Sequence, residues 1–160
     1  MAIIAPRTPA ESHVQLIELV LPNDANVFGH MLGGRVMHHM DMAGFLAANR
    51  HCRQPCVTAA MEHLDFLNPV RVGEAIVLDA RVIFAGKTSL DVLVEVQSEN
   101  LLTGARKPTS TAVMTFVAVD ATGRPVPVPP LKLATAADRT WHQRSVIRRR
   151  LRRRRKLQRT

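Results

Sequence analysis

The sequence has little of what disulfide-stapled, metal-bound or membrane-spanning proteins are built from. Its 160 residues include two cysteines and no tyrosine, and aromatic side chains make up only 4%. Cys52 and Cys56 are too few for a disulfide framework and fall short of the four ligands of a structural zinc site. Adding His38, His39, His51 and His63 gives no recognised ligand spacing, because the adjacent His38 and His39 point about 100° apart around a helix axis. No bound metal is therefore expected. No stretch approaches the roughly 20 apolar residues that span a bilayer, and the opening MAIIAPRTPAESH has no apolar core of signal-peptide length. A P-loop, a dinucleotide glycine fingerprint and a Gly-x-Ser-x-Gly elbow are all missing. One soluble, cytoplasmic domain is the expectation.

Acidic residues are absent from one segment, and that absence sets the net charge of +9. Residues 144–160 hold ten Lys/Arg and no Asp or Glu, leaving twelve basic and thirteen acidic side chains in the rest of the chain. The basic excess belongs to the run RRRLRRRRK and the remainder is close to neutral. Nucleic acid or an acidic membrane is a candidate partner for residues 144–160, since clustered arginines bind any polyanion in a salt-dependent way. Ile147 and Leu151, four apart, would give such a helix an apolar side. The segment lacks stacking aromatics, and a solvated, weakly structured extension is the expected state.

What is present reads as a strand, a long loop, a helix and four more strands. HVQLIELV, residues 13–20, is β-rich and runs into PNDANVFGHMLGG, whose Gly, Asn and Asp content marks an ordered loop. After Gly33 and Gly34, the residues Val36, Met37, Met40, Ala43, Gly44 and Ala47 recur at spacings of three and four, one apolar helical face. Beyond Pro55 the period becomes two. Ile76, Leu78, Ala80, Val82 and Phe84 fall on one face of a strand, and Leu90, Val92, Val94 and Val96 on one face of the next, so each is expected to bury one side. The order predicts an α+β fold, a curved antiparallel sheet around one long helix. The proline-rich GRPVPVPP closes the domain, giving an N-terminal extension over 1–11, a domain over 12–130 and a basic extension over 131–160, either helical or disordered.

Asp41 is the first candidate for chemistry. It is a carboxylate amid methionines and small residues in the helix expected to be buried, a placement that needs a reason: either it lies on the helix flank facing water, or it is a general base or nucleophile. Gly33 and Gly34 open that helix and would let a ligand approach backbone N–H groups with no intrahelical partner, a setting that suits an oxyanion. Asn26 in the preceding loop orients a water or a carbonyl, or with Asp24 simply holds the turn. His30 is a weaker candidate acid or base.

These motifs together, Pro22-x-Asp24-x-Asn26-x-x-Gly29-x-x-x-Gly33-Gly34 followed by Val36-Met37-x-x-Met40-Asp41-x-Ala43-Gly44, resemble the hotdog-fold acyl-CoA thioesterases, in their YciA-type and brain acyl-CoA hydrolase-like group. The resemblance continues through Asp65-Phe66-x-x-Pro69-x-x-x-Gly73-Glu74, Gly86-Lys87-Thr88-Ser89 and Thr115 to Asp120. It implies an antiparallel sheet wrapped around a long central helix, a homo-oligomer built as a dimer or a trimer of dimers, and an active site at a subunit interface. By position it implies that Asp41 is the catalytic acidic residue, that Asn26 orients, and that the Gly33 and Gly34 amides polarise the thioester carbonyl. The turn of Lys87, Thr88 and Ser89 resembles a segment that meets coenzyme A; the multiple anionic charges of coenzyme A make Lys87, Arg106 and Lys107 candidate phosphate partners, the alternative being that they are solvated turn residues. The substrate would be an acyl-CoA, an activity of fatty acid metabolism, with coenzyme A part of the substrate and no separate cofactor. A thiol of pKa about 8.5 leaves without a strong general acid, so one base and one oxyanion site suffice.

Two other functions fit parts of the sequence. A hydratase or dehydratase of acyl thioesters would use His30 with Asp41, although the His-Phe-Pro segment of such enzymes is missing. A nonenzymatic acyl-CoA sensor or nucleic-acid-binding protein would rely on the arginine run.

Overall fold

The period-two runs of Val, Ile and Thr become strands in the computed structural model, which describes residues 4–158. In chain order the elements are α1 (Pro9–Ser12), β1 (Val14–Leu19), a 3-10 turn (Pro22–Asp24), α2 (Gly33–Cys52), β2 (Cys56–Phe66), β3 (Ala75–Ala85), β4 (Ser89–Glu99), β5 (Arg106–Ala118) and α3 (Ala136–Leu157). The strands form one antiparallel sheet in the order β1-β3-β4-β5-β2. Consecutive hairpins link β3, β4 and β5, whereas β2 crosses to pair with β5 and becomes an edge strand.

Helix α2 lies on the inner face. It buries Val36, Met40, Ala43, Gly44, Ala47 and Ala48 against Ile76, Leu78, Leu90, Val92, Met114 and Phe116 of the sheet. Small residues set the distance: a Cβ at Gly44 would come within 3.0 Å of the Phe116 ring. Met37, expected on this face, is instead exposed, with Met42, Phe45 and Leu46. Arg53 ends the helix in the left-handed conformation, φ 54°.

Two expectations are corrected on the outer face. Strands β3 and β4 do not bury one side only, since Val77 and Leu93 of the opposite parity are also buried. A bulge between Val82 and Phe84 reverses the alternation, so Phe84 leaves the α2 face and stacks on His142 at 5.3 Å. What covers this face is α3, which takes the helical alternative for 131–160 and docks the arginine run from residue 144 onward that was expected to be solvated and weakly structured. The helix opens with a capping box, in which Thr135 Oγ1 accepts from Asp138 N (3.1 Å) and Asp138 Oδ2 accepts from Thr135 N (2.9 Å). Trp141 then packs on Ile83, Leu93 and Val113.

The rest of α3 docks through arginine. Asp91 of β4, 1% exposed, is held in a fork by Arg149 Nε (2.9 Å) and Nη2 (2.7 Å), with Thr115 Oγ1 donating at 3.0 Å. Arg148 Nη2 lies 3.5 Å from the same carboxylate, and Arg152 Nη1 donates to Glu62 Oε1 at 3.1 Å. The Arg149 guanidinium also lies 4.3 Å over the Phe84 ring while its N–H groups hold Asp91, so a segment poor in aliphatic residues still docks.

The extended chain after β5 returns along the domain, Val128 N donating to the Lys87 carbonyl at 3.0 Å. Arg7 N donates to the Pro130 carbonyl at 2.9 Å. Among the described residues no helix is long and apolar enough to cross a membrane.

Candidate functional site

The loop between β1 and α2 is built to present the helix N-terminus. Asp24 anchors it three ways, accepting from Leu21 N (3.2 Å) through Oδ2 and from Leu32 N (2.8 Å) through its carbonyl, and pairing Oδ1 with Arg35 Nη2 at 3.0 Å. Asn26 Oδ1 accepts from Phe28 N (2.9 Å) and His30 N (3.1 Å), as the turn-holding alternative required. Both bonds use Oδ1, and the Nδ2 group remains a donor beside a cleft of about 280 Å³ that Asn26, His30, Gly33, Phe66 and Asn68 line.

Helix α2 starts at this cleft without a side-chain cap, because its N-cap is Leu32. The N–H groups of Arg35 and Val36 turn back to the Leu32 carbonyl, at 2.9 and 3.1 Å. Gly33 is closely packed: a Cβ there would sit 3.2 Å from Cζ of the half-exposed Phe66 ring, which would have to give by a few tenths of an ångström. Gly34 is different: a Cβ would meet nothing within 4 Å, so the protomer itself gives no packing reason against a methyl group there. An uncapped helix start with open space above it is a ready site for a developing negative oxygen.

Asp41 lies two turns further along α2, partly buried. Thr58 Oγ1 of β2 donates to its Oδ1 at 2.7 Å, and among the described residues Oδ2 has no partner. Thr58 was not singled out in the sequence. No local motif marks it, because its approach to Asp41 depends on β2 crossing to pair with β5.

The suggested coenzyme A residues do not form one cluster within a protomer. Register pairs Ser89 with Val117 and Glu99 with Arg106, so Lys87, Thr88 and Ser89 lie at one end of β4 and Arg106 and Lys107 at the other. Ten residues of strand separate them, about 33 Å. Arg106 is also engaged, its Nε donating to Glu99 Oε2 at 2.7 Å, while Lys87 and Lys107 are exposed. Ser89 Oγ accepts from Arg149 Nη1 at 3.0 Å. His30 stays with the Asn26 cleft and forms a bridge to Arg71, apart from the Asp41–Thr58 pair.

Residues 28–105 match the model of the Thioesterase superfamily. Over 138 residues, 86% of this chain and 80% of the relative, the sequence is 38% identical to an uncharacterised acyl-CoA thioester hydrolase, YkhA, of Bacillus subtilis. It is 38% identical to the human cytosolic acyl coenzyme A thioester hydrolase over 105 residues, which is 28% of that protein's length. An acyl-CoA hydrolase from Bacillus cereus superposes with a TM-score of 0.90 at 37% identity, covering 96% of this chain and 93% of that one. A hexameric acyl-CoA thioesterase in its apo form gives 0.91 at 36% identity, with 95% and 97% covered. An acyl-CoA hydrolase from Staphylococcus aureus, solved with butyryl coenzyme A and coenzyme A, gives 0.86 at 28% identity, with 95% and 94% covered. That enzyme has also been solved as variants in which an Asp, an Asn or a Thr is replaced by Ala. With its five-stranded antiparallel sheet around α2 and these matches, the chain belongs to the hotdog-fold acyl-CoA thioester hydrolases of the thioesterase superfamily.

Proposed function

We propose that the protein hydrolyses acyl-CoA to free coenzyme A and a carboxylic acid, with Asp41 as the catalytic carboxylate and the α2 N-terminus as the oxyanion site. The observation that carries this reading is the Asp41–Thr58 pair. Thr58 fixes Oδ1 at 2.7 Å and leaves Oδ2 to take a proton from water or to attack the thioester carbon and form a mixed anhydride. The three residues replaced in the Staphylococcus aureus enzyme support it. They are an Asn, an Asp and a Thr separated by 15 and then 17 positions, the same separations as Asn26, Asp41 and Thr58. The reaction needs no cofactor, since the thiolate is itself a good leaving group.

The site draws on two copies of the chain. Gly34 and Asp41 are seven residues apart, about 10 Å along a helix axis, too far for both to reach one carbonyl within a protomer. A second copy supplies the missing half. Edge strand β2 is open, α2 exposes Met37, Met42, Phe45 and Leu46, and hexameric assembly is known for a structural neighbour. A dimer, or a trimer of dimers, is the functional unit in this reading.

The test is free-thiol release from a panel of short to long acyl-CoAs. Thiol release with any member supports the hydrolase. Consumption of an unsaturated acyl-CoA without thiol release would favour a hydratase instead.

A further inference from the structure

Beneath the second half of α3, on the sheet face away from the helix that carries Asp41, lies a cleft of about 620 Å³. Ser89, Arg149, Arg152, Arg153, Arg155 and Lys156 give it its polar lining; the rest is alanine, valine and Thr115, and no carboxylate lines it. The volume suits a nucleotide-sized ligand.

The cations are of two kinds. Arg149 and Arg152 are fixed in place, the first by Asp91 and Ser89, the second by Glu62 and Thr115 at 3.1 and 3.2 Å. With Arg148 they already balance the two carboxylates beneath them. Arg153 and Arg155 are exposed, and among the described residues neither meets a carboxylate. Arg149 and Arg153, and Arg152 and Lys156, stand four apart on the helix, spacings at which like charges destabilise it. Arg153 and Arg155 therefore bring positive charge to the cleft that no carboxylate of the described residues offsets, and Arg149 and Arg152 are held in place before any ligand arrives.

We propose that this cleft binds the clustered phosphates of a nucleoside diphosphate group. Guanidinium groups recognise phosphate in a bidentate manner, and their planes stack on a purine. Two sources carry that chemistry: the 3′-phosphoadenosine diphosphate end of the acyl-CoA substrate, or a free nucleotide acting as an effector. Only the first rests on the hydrolase reading.

Calorimetric titration of the full-length protein with ADP, 3′-phosphoadenosine 5′-phosphate and coenzyme A tests the site directly, with no dependence on turnover. At least one should bind with an affinity that falls steeply with salt and drops tenfold or more in the Arg153→Ser/Arg155→Ser variant. The Arg150→Ser/Arg154→Ser variant removes the same charge from side chains outside the cleft lining and should bind as the parent does. No binding of any of the three, or equal losses in both variants, overturns the proposal. The source is then read from kinetics. A tenfold rise in KM for acyl-CoA, with that for acyl-pantetheine unchanged, assigns the substrate's own nucleotide. An unchanged KM with an ADP effect on turnover that the variant loses assigns an effector.

Discussion

Thr58 Oγ1 donates a 2.7 Å hydrogen bond to Asp41 Oδ1, joining an edge strand to the central helix at the one carboxylate of α2. A hydrogen bond to a charged group is worth about 1.5–3 kcal/mol, or roughly 10- to 100-fold in rate. Thr58→Val should lower kcat by that factor with little effect on fold, and Thr58→Ser should retain most of it. Steady-state kinetics on one acyl-CoA checks both, and equal losses in the two variants would remove the hydroxyl from the account.

A site shared between copies predicts complementation. Asp41→Asn and Asn26→Ala should each be inactive alone, and re-associating equal amounts should restore about a quarter of the parent activity by random pairing. Mixed oligomers that stay inactive would place both residues in one protomer's site.

Asp91 is the anchor of α3, and truncating it leaves Arg148 and Arg149 without their buried partner. Asp91→Ala should destabilise the protein by about 3–5 kcal/mol. Urea unfolding gives the value, and a change under 1 kcal/mol would show that α3 docks mainly through Trp141.

His51 makes stability fall in acid. It is fully buried, its Nε2 donates to the Pro129 carbonyl at 2.9 Å, and burial pushes its pKa below the usual 6.5. Above that value the ring is neutral in both the folded and unfolded chains and contributes nothing to the pH dependence. Below it the unfolded chain binds the proton first, so stability is lost as pH falls. His39, shifted the same way by burial, adds to the slope. Tm measured from pH 7.5 to 5 should drop less steeply for His51→Gln, which keeps a donor for Pro129, than for the parent; parallel curves would contradict this.

Much of the fold was legible because it is periodic. The alternation in β3 and β4 and the three- and four-residue spacing in α2 are local, and they identify the inner core. Phe84 escaped because a bulge changes parity without a sequence signal. The docking of α3 escaped because its docking face is arginine, whose carboxylate partners Asp91 and Glu62 lie 58 and 90 residues earlier in the chain. The same limit governs the site. Asp41, Asn26 and the two glycines stand in one contiguous motif, whereas Thr58 reaches Asp41 only through the crossing of β2, and the separation of Lys87 from Arg106 follows from strand register. Pairing of distant segments is a tertiary fact that no short window contains.

In the proposed reaction Asp41 carries thioester hydrolysis. Free-thiol release from acyl-CoA by the purified protein and its Asp41→Asn variant, measured side by side with oligomeric state and Tm, tests it most directly. The parent should hydrolyse acyl-CoA, and the variant, while remaining folded and assembled, should lose at least a thousandfold, a barrier increase of about 4 kcal/mol. A folded Asp41→Asn protein that keeps the parent's rate would contradict it.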